Sequence, residues 1–290
     1  MIHQTFKLSG TTQAIMTSYI LDDGEYGRKG MKRPAVVICP GGGYTIVSKN
    51  EGEPVALFFN RHGYHAFVIE YSVKINHPFP TALQELAVAM SIIKAKKEEW
   101  LIQDEIYAAG FSAGGNLALS LAIYASQPVI TSDIGLTYEQ VRPAGLILGY
   151  PAVTLHPKHE GGELPKELEE LMDKGLMPDF RGPGIREILI GHENVSEKEA
   201  ESLNLLKYLH GDLPPVFIWG SYEDSIIPAT DLTMFATRLY ELSVPCELHM
   251  FGSGPHGVSL CDTSVKNEEE IKGLSMNYWT TLCLQWLNRK

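Results

Sequence analysis

Short apolar runs recur along the chain: AVVIC (35–39), AFVIEY (66–71), IYAAGF (106–111), GLILGY (145–150), VFIWG (216–220) and ELHMF (247–251). Within each run the hydrophobicity is continuous rather than alternating, the pattern of strands buried on both faces, as in a parallel sheet. Between the runs the period lengthens to that of a helix. From Thr81 the sequence TALQELAVAMSIIKAKKEEW sets Leu83, Leu86, Ala87, Met90 and Ile93 on one stripe, and Thr81 with Gln84 reads as a capping box at its start. Residues 271–286 form a second amphipathic segment. Strands alternating with helices predict an α/β fold whose mostly parallel central sheet is flanked by helices. TFKLSG and IMTSYIL near the amino end add an edge hairpin, counted as the first two strands.

Residues 152–206 interrupt this rhythm. They offer no strand and include KHEGGELPKELEELMDKGLMPDFRGPG, so they predict a small cap-like insertion between the sixth and seventh strands, built of short helices above the sheet. Its acidic stretch, residues 163–173, is expected to be a solvated face. No fixed-period repeat or linker-like tract is present. The expectation is one domain over residues 1–290 carrying that insertion.

Composition narrows the class. The chain has 290 residues, 44% of them hydrophobic, enough for a core that needs neither disulfide nor metal. A net charge of -11 opposes binding to nucleic acid or an anionic membrane, both of which need positive surface. A small-molecule partner is expected instead, and a homo-oligomer is left open. The opening MIHQTFKLSG lacks a basic then apolar leader and no 18-residue apolar stretch occurs, so the expected location is cytoplasmic. Cys39, Cys246, Cys261 and Cys283 are scattered without CxxC spacing, which signals free, mostly buried thiols and no zinc site.

Two glycine clusters carry the candidate chemistry. GFSAGG (110–115) starts where the run IYAAGF ends and leads into AGGNLALSLAIYAS, a helix-forming stretch. That is the strand, sharp turn and helix of a GxSxG nucleophile elbow, with Ser112 at its tip. CPGGGY (39–44) lacks both the GK[ST] ending of a P-loop and the spacing of a dinucleotide motif. Three successive glycines instead let a backbone come close to an oxyanion, so the N–H groups of Gly42 and Gly43, with that of Ala113 after the serine, are the candidate donors. A serine nucleophile needs a histidine base, and the histidine needs an acid to orient it. Asp224 lies in the loop after VFIWG, with Glu223 as the near competitor. His256 is the histidine of the loop after ELHMF, while His249 inside that run reads as packing. His62, His65 and His210 read as ordinary solvated residues, and Trp219 and Trp286 as core. Tyr44 either lines an acyl pocket or anchors its loop, and Glu51 and Glu53 read as acids at a helix start, favoured by the dipole.

GFSAGG, the glycine triplet, GSYEDSIIP and GPHG together resemble the α/β-hydrolase superfamily, and within it the glycine-triplet esterases related to bacterial acetyl esterases and acetylxylan esterases. The resemblance covers nearly the whole chain. It implies a cofactor-free and metal-free serine esterase in which Ser112 attacks, His256 moves the proton and Asp224 orients His256, acting on small acyl esters, with acetylated sugars or oligosaccharides as a natural class. The same relay would serve a peptidase or amidase, and a binding protein can retain the fold. One departure from the family pattern is Pro40, which stands where HGGG has histidine and leaves the support of the glycine loop to be found elsewhere.

Overall fold

The computed structural model describes residues 1–24, 29–155 and 182–289. Eight strands form one sheet: β1 (Thr5–Lys7), β2 (Ile15–Tyr19), β3 (Arg33–Cys39), β4 (His65–Glu70), β5 (Ile102–Phe111), β6 (Leu146–Gly149), β7 (Val216–Ser221) and β8 (Cys246–Phe251). Their order is β1-β2-β4-β3-β5-β6-β7-β8. The amino-terminal hairpin is antiparallel and joins β4 antiparallel, and every pairing from β4 to β8 is parallel.

Helices cover both faces. On one face α2 (Thr81–Ala95), α3 (Ala113–Tyr124) and α4 (Ala229–Glu241) pack with Val37, Cys39 and Leu148. On the other, α1 (Glu53–Arg61) and α5 (Tyr278–Leu287) pack with Val36, Ile38 and Ile147. Consecutive residues of β3 thus feed opposite cores, which is why its hydrophobicity is unbroken. The edge strand β8 is half-buried at every position. In α3 all residues from Ala113 to Ile123 are buried, and each leucine hidden this way contributes about 1.5–3 kcal/mol.

The structure departs from the local expectations at four points. The helix from Thr81 has Pro80 at its N-cap and no side-chain cap, because Gln84 Nε2 donates to Val129 O at 3.1 Å rather than turning back to its own first turn. The last amphipathic segment is helical over Glu268–Ile271 and again over Tyr278–Leu287, and Gly273 between them sits at φ 79°. His65 is 1% exposed, its Nδ1 accepting the Leu21 N–H at 3.0 Å, because it opens the central strand β4. Trp219 is fully buried as expected, whereas Trp286 is half-buried on the sheet's outer helix.

Of the inserted stretch, residues 152–155 and 182–206 are described; they hold short helices at Ile185–Ile190 and Glu197–Ser202 and no strand. The acidic stretch 163–173 lies outside the described residues.

The order of strands positions the site. From β3 the chain passes to β4 on one side and then returns to β5 on the other, so the crevice at the carboxyl ends of β3 and β5 is a topological switch point. Cys39 and Gly110 are register partners across that crevice. The glycine triplet following β3 and the serine following β5 therefore leave the sheet side by side.

Candidate active site

Ser112 connects β5 to α3 in a backbone conformation of φ 51°, ψ -119°. Such geometry costs roughly 1–3 kcal/mol outside glycine, and the surrounding backbone enforces it. The Ser112 N–H donates to Gly149 O at 3.0 Å, and Ser112 O accepts from Asn116 N and Ala152 N, each at 3.1 Å. No side chain fits at the elbow's flank: a Cβ on Gly114 would lie 2.0 Å from Cys39 O. The GxSxG glycines are thus demanded by the close approach of strand, turn and helix.

The candidate base and its candidate orienting acid come from the next two loops of the sheet. Asp224 follows β7 and His256 follows β8, neighbouring strands in register from Val216 with Cys246 to Ser221 with Phe251. His256 Nε2 is 2.9 Å from Ser112 Oγ, and His256 Nδ1 is 2.8 Å from Asp224 Oδ2. Asp224 Oδ1 accepts the N–H groups of Ile226 at 2.8 Å and Ile227 at 2.9 Å. The Asp224 side chain is 2% exposed and that of His256 15%. With Asp224 ionised, Nδ1 carries the proton and donates it, so Nε2 presents a lone pair to the serine hydroxyl. Glu223, the competitor for Asp224, points elsewhere: its Oε2 accepts the Gly254 N–H at 3.3 Å, steadying the histidine loop.

The glycine triplet faces this pair across a cleft of about 650 Å³, lined by Gly42, Gly43, Ser112 and His256 together with apolar Ile46, Ile185 and Ile226. Among the described residues, the N–H groups of Gly42, Gly43 and Ala113 have no protein acceptor. Gly42 sits at φ 122°, and a Cβ there would fall 2.3 Å from Ile46 O. Ile185 and its neighbours from Pro183 to Glu187 bring the described part of the inserted stretch to the cleft wall. A larger cavity, about 850 Å³, opens at the opposite edge of the sheet, beside Ile106, Ala144 and Pro215; its described lining has no serine, cysteine or histidine. Among the described residues no three or more His, Cys, Asp and Glu side chains converge as a metal site would require.

Tyr44 takes the second of its two readings, and Glu51 departs from its expected role. Tyr44 does not line the cleft: it is 3% exposed, its hydroxyl donates to Asn116 Oδ1 at 3.0 Å, and its ring packs edge-on against Tyr71. It anchors the loop because the backbone at φ 56° turns its side chain into the core. Glu51 is not an exposed helix-start acid. It is 4% exposed, its Oε2 accepting the Gly41 N–H at 2.7 Å and its Oε1 the Tyr150 hydroxyl at 2.6 Å. Burial pushes this carboxyl up from its ordinary range, against the pull of those two hydrogen bonds. Glu53, by contrast, does occupy the first turn of α1. The support expected from a histidine ahead of the glycines is therefore supplied by Glu51 on Gly41, by the Tyr71 hydroxyl on Pro40 O at 2.7 Å, and by Tyr44 on Asn116.

Comparison with known proteins agrees with this architecture. The alpha/beta hydrolase fold family matches residues 36–260. The carboxylesterase Cest-2923 from Lactobacillus plantarum superimposes with a TM-score of 0.77 at 24% identity, covering 99% of this chain and 96% of its own. The acetyl ester-xyloside bifunctional hydrolase from Caldicellulosiruptor lactoaceticus gives a TM-score of 0.71 at 26% identity, with 97% and 90% covered. In sequence, endo-1,4-beta-xylanase B from Butyrivibrio fibrisolvens is 28% identical over 251 residues, 84% of this chain. The chain spans only 35% of that relative's length. The chain belongs to the alpha/beta hydrolase fold family.

Proposed function

We propose that the chain is a serine carboxylic-ester hydrolase acting on small acyl esters through an acyl-enzyme. The observation that carries this reading is the hydrogen-bonded line from Asp224 through His256 to Ser112, which ends in a cleft opposite the unpartnered N–H groups of the glycine loop. In the first half-reaction the Ser112 hydroxyl adds to the ester carbonyl while His256 Nε2 takes its proton. Negative charge then develops on the carbonyl oxygen, and the N–H groups of Gly42, Gly43 and Ala113 receive it. Preorganised donors of this kind are worth about 10²–10³ in rate apiece. His256 returns the proton to the departing alcohol, leaving Ser112 acylated. Water activated by the same imidazole then reverses the sequence and releases the acid. Asp224 keeps the imidazole in the tautomer that can accept at Nε2 and offsets the charge of the imidazolium.

Acetylated sugars or oligosaccharides are the natural substrates we favour. Support comes from a 26%-identical neighbour described as an acetyl ester-xyloside hydrolase, and from the xylanase relative. The deciding measurement is initial rates on p-nitrophenyl esters from acetate to octanoate, with Ser112→Ala alongside. Serine-dependent cleavage falling off beyond butyrate is expected. Folded protein that cleaves none of them, and that a serine-directed phosphonate fails to label, would overturn the proposal.

A further inference from the structure

Glu51 lies in the wall of the cleft with both carboxylate oxygens engaged, and its partners Gly41 and Tyr150 belong to different loops of the site. Through Gly41 it holds the start of the glycine triplet. Through Tyr150 it reaches the loop of His256: the Tyr150 oxygen, besides donating its proton to Glu51, accepts the Ser259 N–H at 3.0 Å. The Tyr150 ring packs edge-on against the His256 imidazole, with centroids 4.8 Å apart. Ser259 is fixed from two further sides, its Oγ donating to Asn50 O at 2.6 Å and its carbonyl accepting from Trp279 Nε1 at 2.9 Å. Tyr150 itself is held at φ 37°, where its N–H donates to Trp219 O. The loops after β3, β6 and β8 therefore converge on one buried carboxylate.

We infer that Glu51 is a positioning residue that fixes the glycine loop and the histidine loop relative to each other through Gly41 on one side and Tyr150 on the other. Neither Glu51 nor Tyr150 takes or gives a proton in this scheme; Tyr150 meets the base through its ring contact. Their effect is on the distance between the oxyanion donors and the base, which a buried polar network sets only while every member is satisfied. The inference rests on the esterase reading for its kinetic consequences and on geometry alone for the coupling itself.

The two parts separate experimentally. In Glu51→Ala both bonds are lost. In Glu51→Gln the carboxamide oxygen still accepts from Gly41 while its NH₂ faces the tyrosine oxygen, which keeps one bond and reverses the other. Tyr150→Phe removes the hydrogen bonds of the tyrosine oxygen with Glu51 and with Ser259 and leaves that of Glu51 with Gly41. On p-nitrophenyl acetate, corrected for folded protein by circular dichroism, kcat is expected to fall about 100-fold for Glu51→Ala and about tenfold for Glu51→Gln. KM should stay within about threefold of the parent's, because ground-state binding is untouched. The Glu51→Ala, Tyr150→Phe double variant should be no slower than Glu51→Ala, since the two act in series.

Amide hydrogen exchange gives a readout independent of turnover. Loss of the Glu51 carboxylate should speed exchange at Gly41 and Ser259 together, Tyr150→Phe should do so at Ser259 alone, and Glu51→Gln should spare Gly41. The inference is overturned if folded Glu51→Ala keeps kcat within threefold of the parent, or if Ser259 exchange ignores the loss of Glu51. Should the parent protein neither cleave esters nor react with a phosphonate, the esterase reading falls, while the exchange experiment still decides the coupling.

Discussion

Asp224→Asn is the most discriminating single change at the site, and its consequence can be worked from four distances. The Asp224 Oδ1 atom takes the Ile226 and Ile227 N–H groups, and Oδ2 takes His256 Nδ1–H. A carboxamide has one acceptor oxygen. Left on the two amides, it turns its NH₂ toward Nδ1, so the imidazole must carry its proton on Nε2, 2.9 Å from Ser112 Oγ, where it can no longer accept one. Flipping the carboxamide restores the productive tautomer but opposes NH₂ to both backbone donors. The Ile227 N–H is buried and that of Ile226 partly so. At about 1–3 kcal/mol for an orphaned buried donor and less for the other, the flip costs about 2–4 kcal/mol. The productive form is then depleted about 30- to 1000-fold. Loss of the charge facing the imidazolium adds to this, and kcat/KM for p-nitrophenyl acetate should fall by about 10³–10⁴. Unchanged circular dichroism and melting within a few degrees would show the fold intact. A variant that keeps more than a tenth of parental kcat/KM would refute the tautomer argument. Glu223→Gln is the control: its oxygen accepts only the Gly254 N–H and a carboxamide can do the same, so activity should stay within a few-fold. If the two variants behaved the other way round, the orienting acid would be Glu223.

Further outcomes follow from other parts of the site and sheet. Gly42→Ala should lower kcat by about 10² or more, because the new Cβ meets Ile46 O and displaces a candidate oxyanion donor, whereas Gly43→Ala, strained at φ 61° but with its Cβ in ordinary contact with Thr45 Oγ1 at 3.9 Å, should lose far less; parallel kinetics on the two proteins test the contrast. Tyr44→Phe strands the buried Asn116 Oδ1 and should cost about 1–3 kcal/mol in urea unfolding while leaving turnover within a few-fold. His65 is held by burial at about 4, below its ordinary value, so the folded state binds fewer protons than the unfolded between pH 4 and 6.5. Stability should therefore rise with pH across that window, and about 3 kcal/mol should be lost on acidification through it. His65→Asn, whose Oδ1 can accept the Leu21 N–H, should flatten the curve; an unchanged slope in denaturant titrations would remove His65 as the cause.

Strands were legible because burial on both faces leaves unbroken apolar runs, and every one of the six runs is a strand. The placement of the candidate site residues was legible where geometry constrains sequence locally: GFSAGG cannot turn so sharply without its glycines, and Asp224 and His256 follow neighbouring strands. What sequence concealed was decided by contacts between distant segments. Gln84 had an acceptor at Val129 more favourable than its own helix start, and Gly273 broke an apolar period that ignored backbone conformation. Glu51 carried no local signal at all. An acid beside a helix start looks solvated until Gly41 and Tyr150, the latter 99 residues away, are seen to share its two oxygens. Tyr44 was ambiguous for a like reason, since its partner Asn116 stands 72 residues further on.

Ser112 and His256 are 144 residues apart in the chain, and β6, β7 and the inserted stretch all intervene. During biosynthesis the serine elbow can be completed once β6 and the Gly149–Ala152 segment join β5 and α3, but the candidate base that would activate it is made 144 residues after the serine. A nascent or partly folded chain therefore carries an inert serine. Appearance of esterase activity, or of phosphonate labelling, during refolding should mark the docking of β7 and β8 onto β6, later than the recovery of helical circular dichroism. The active site thereby reports on completion of its own fold.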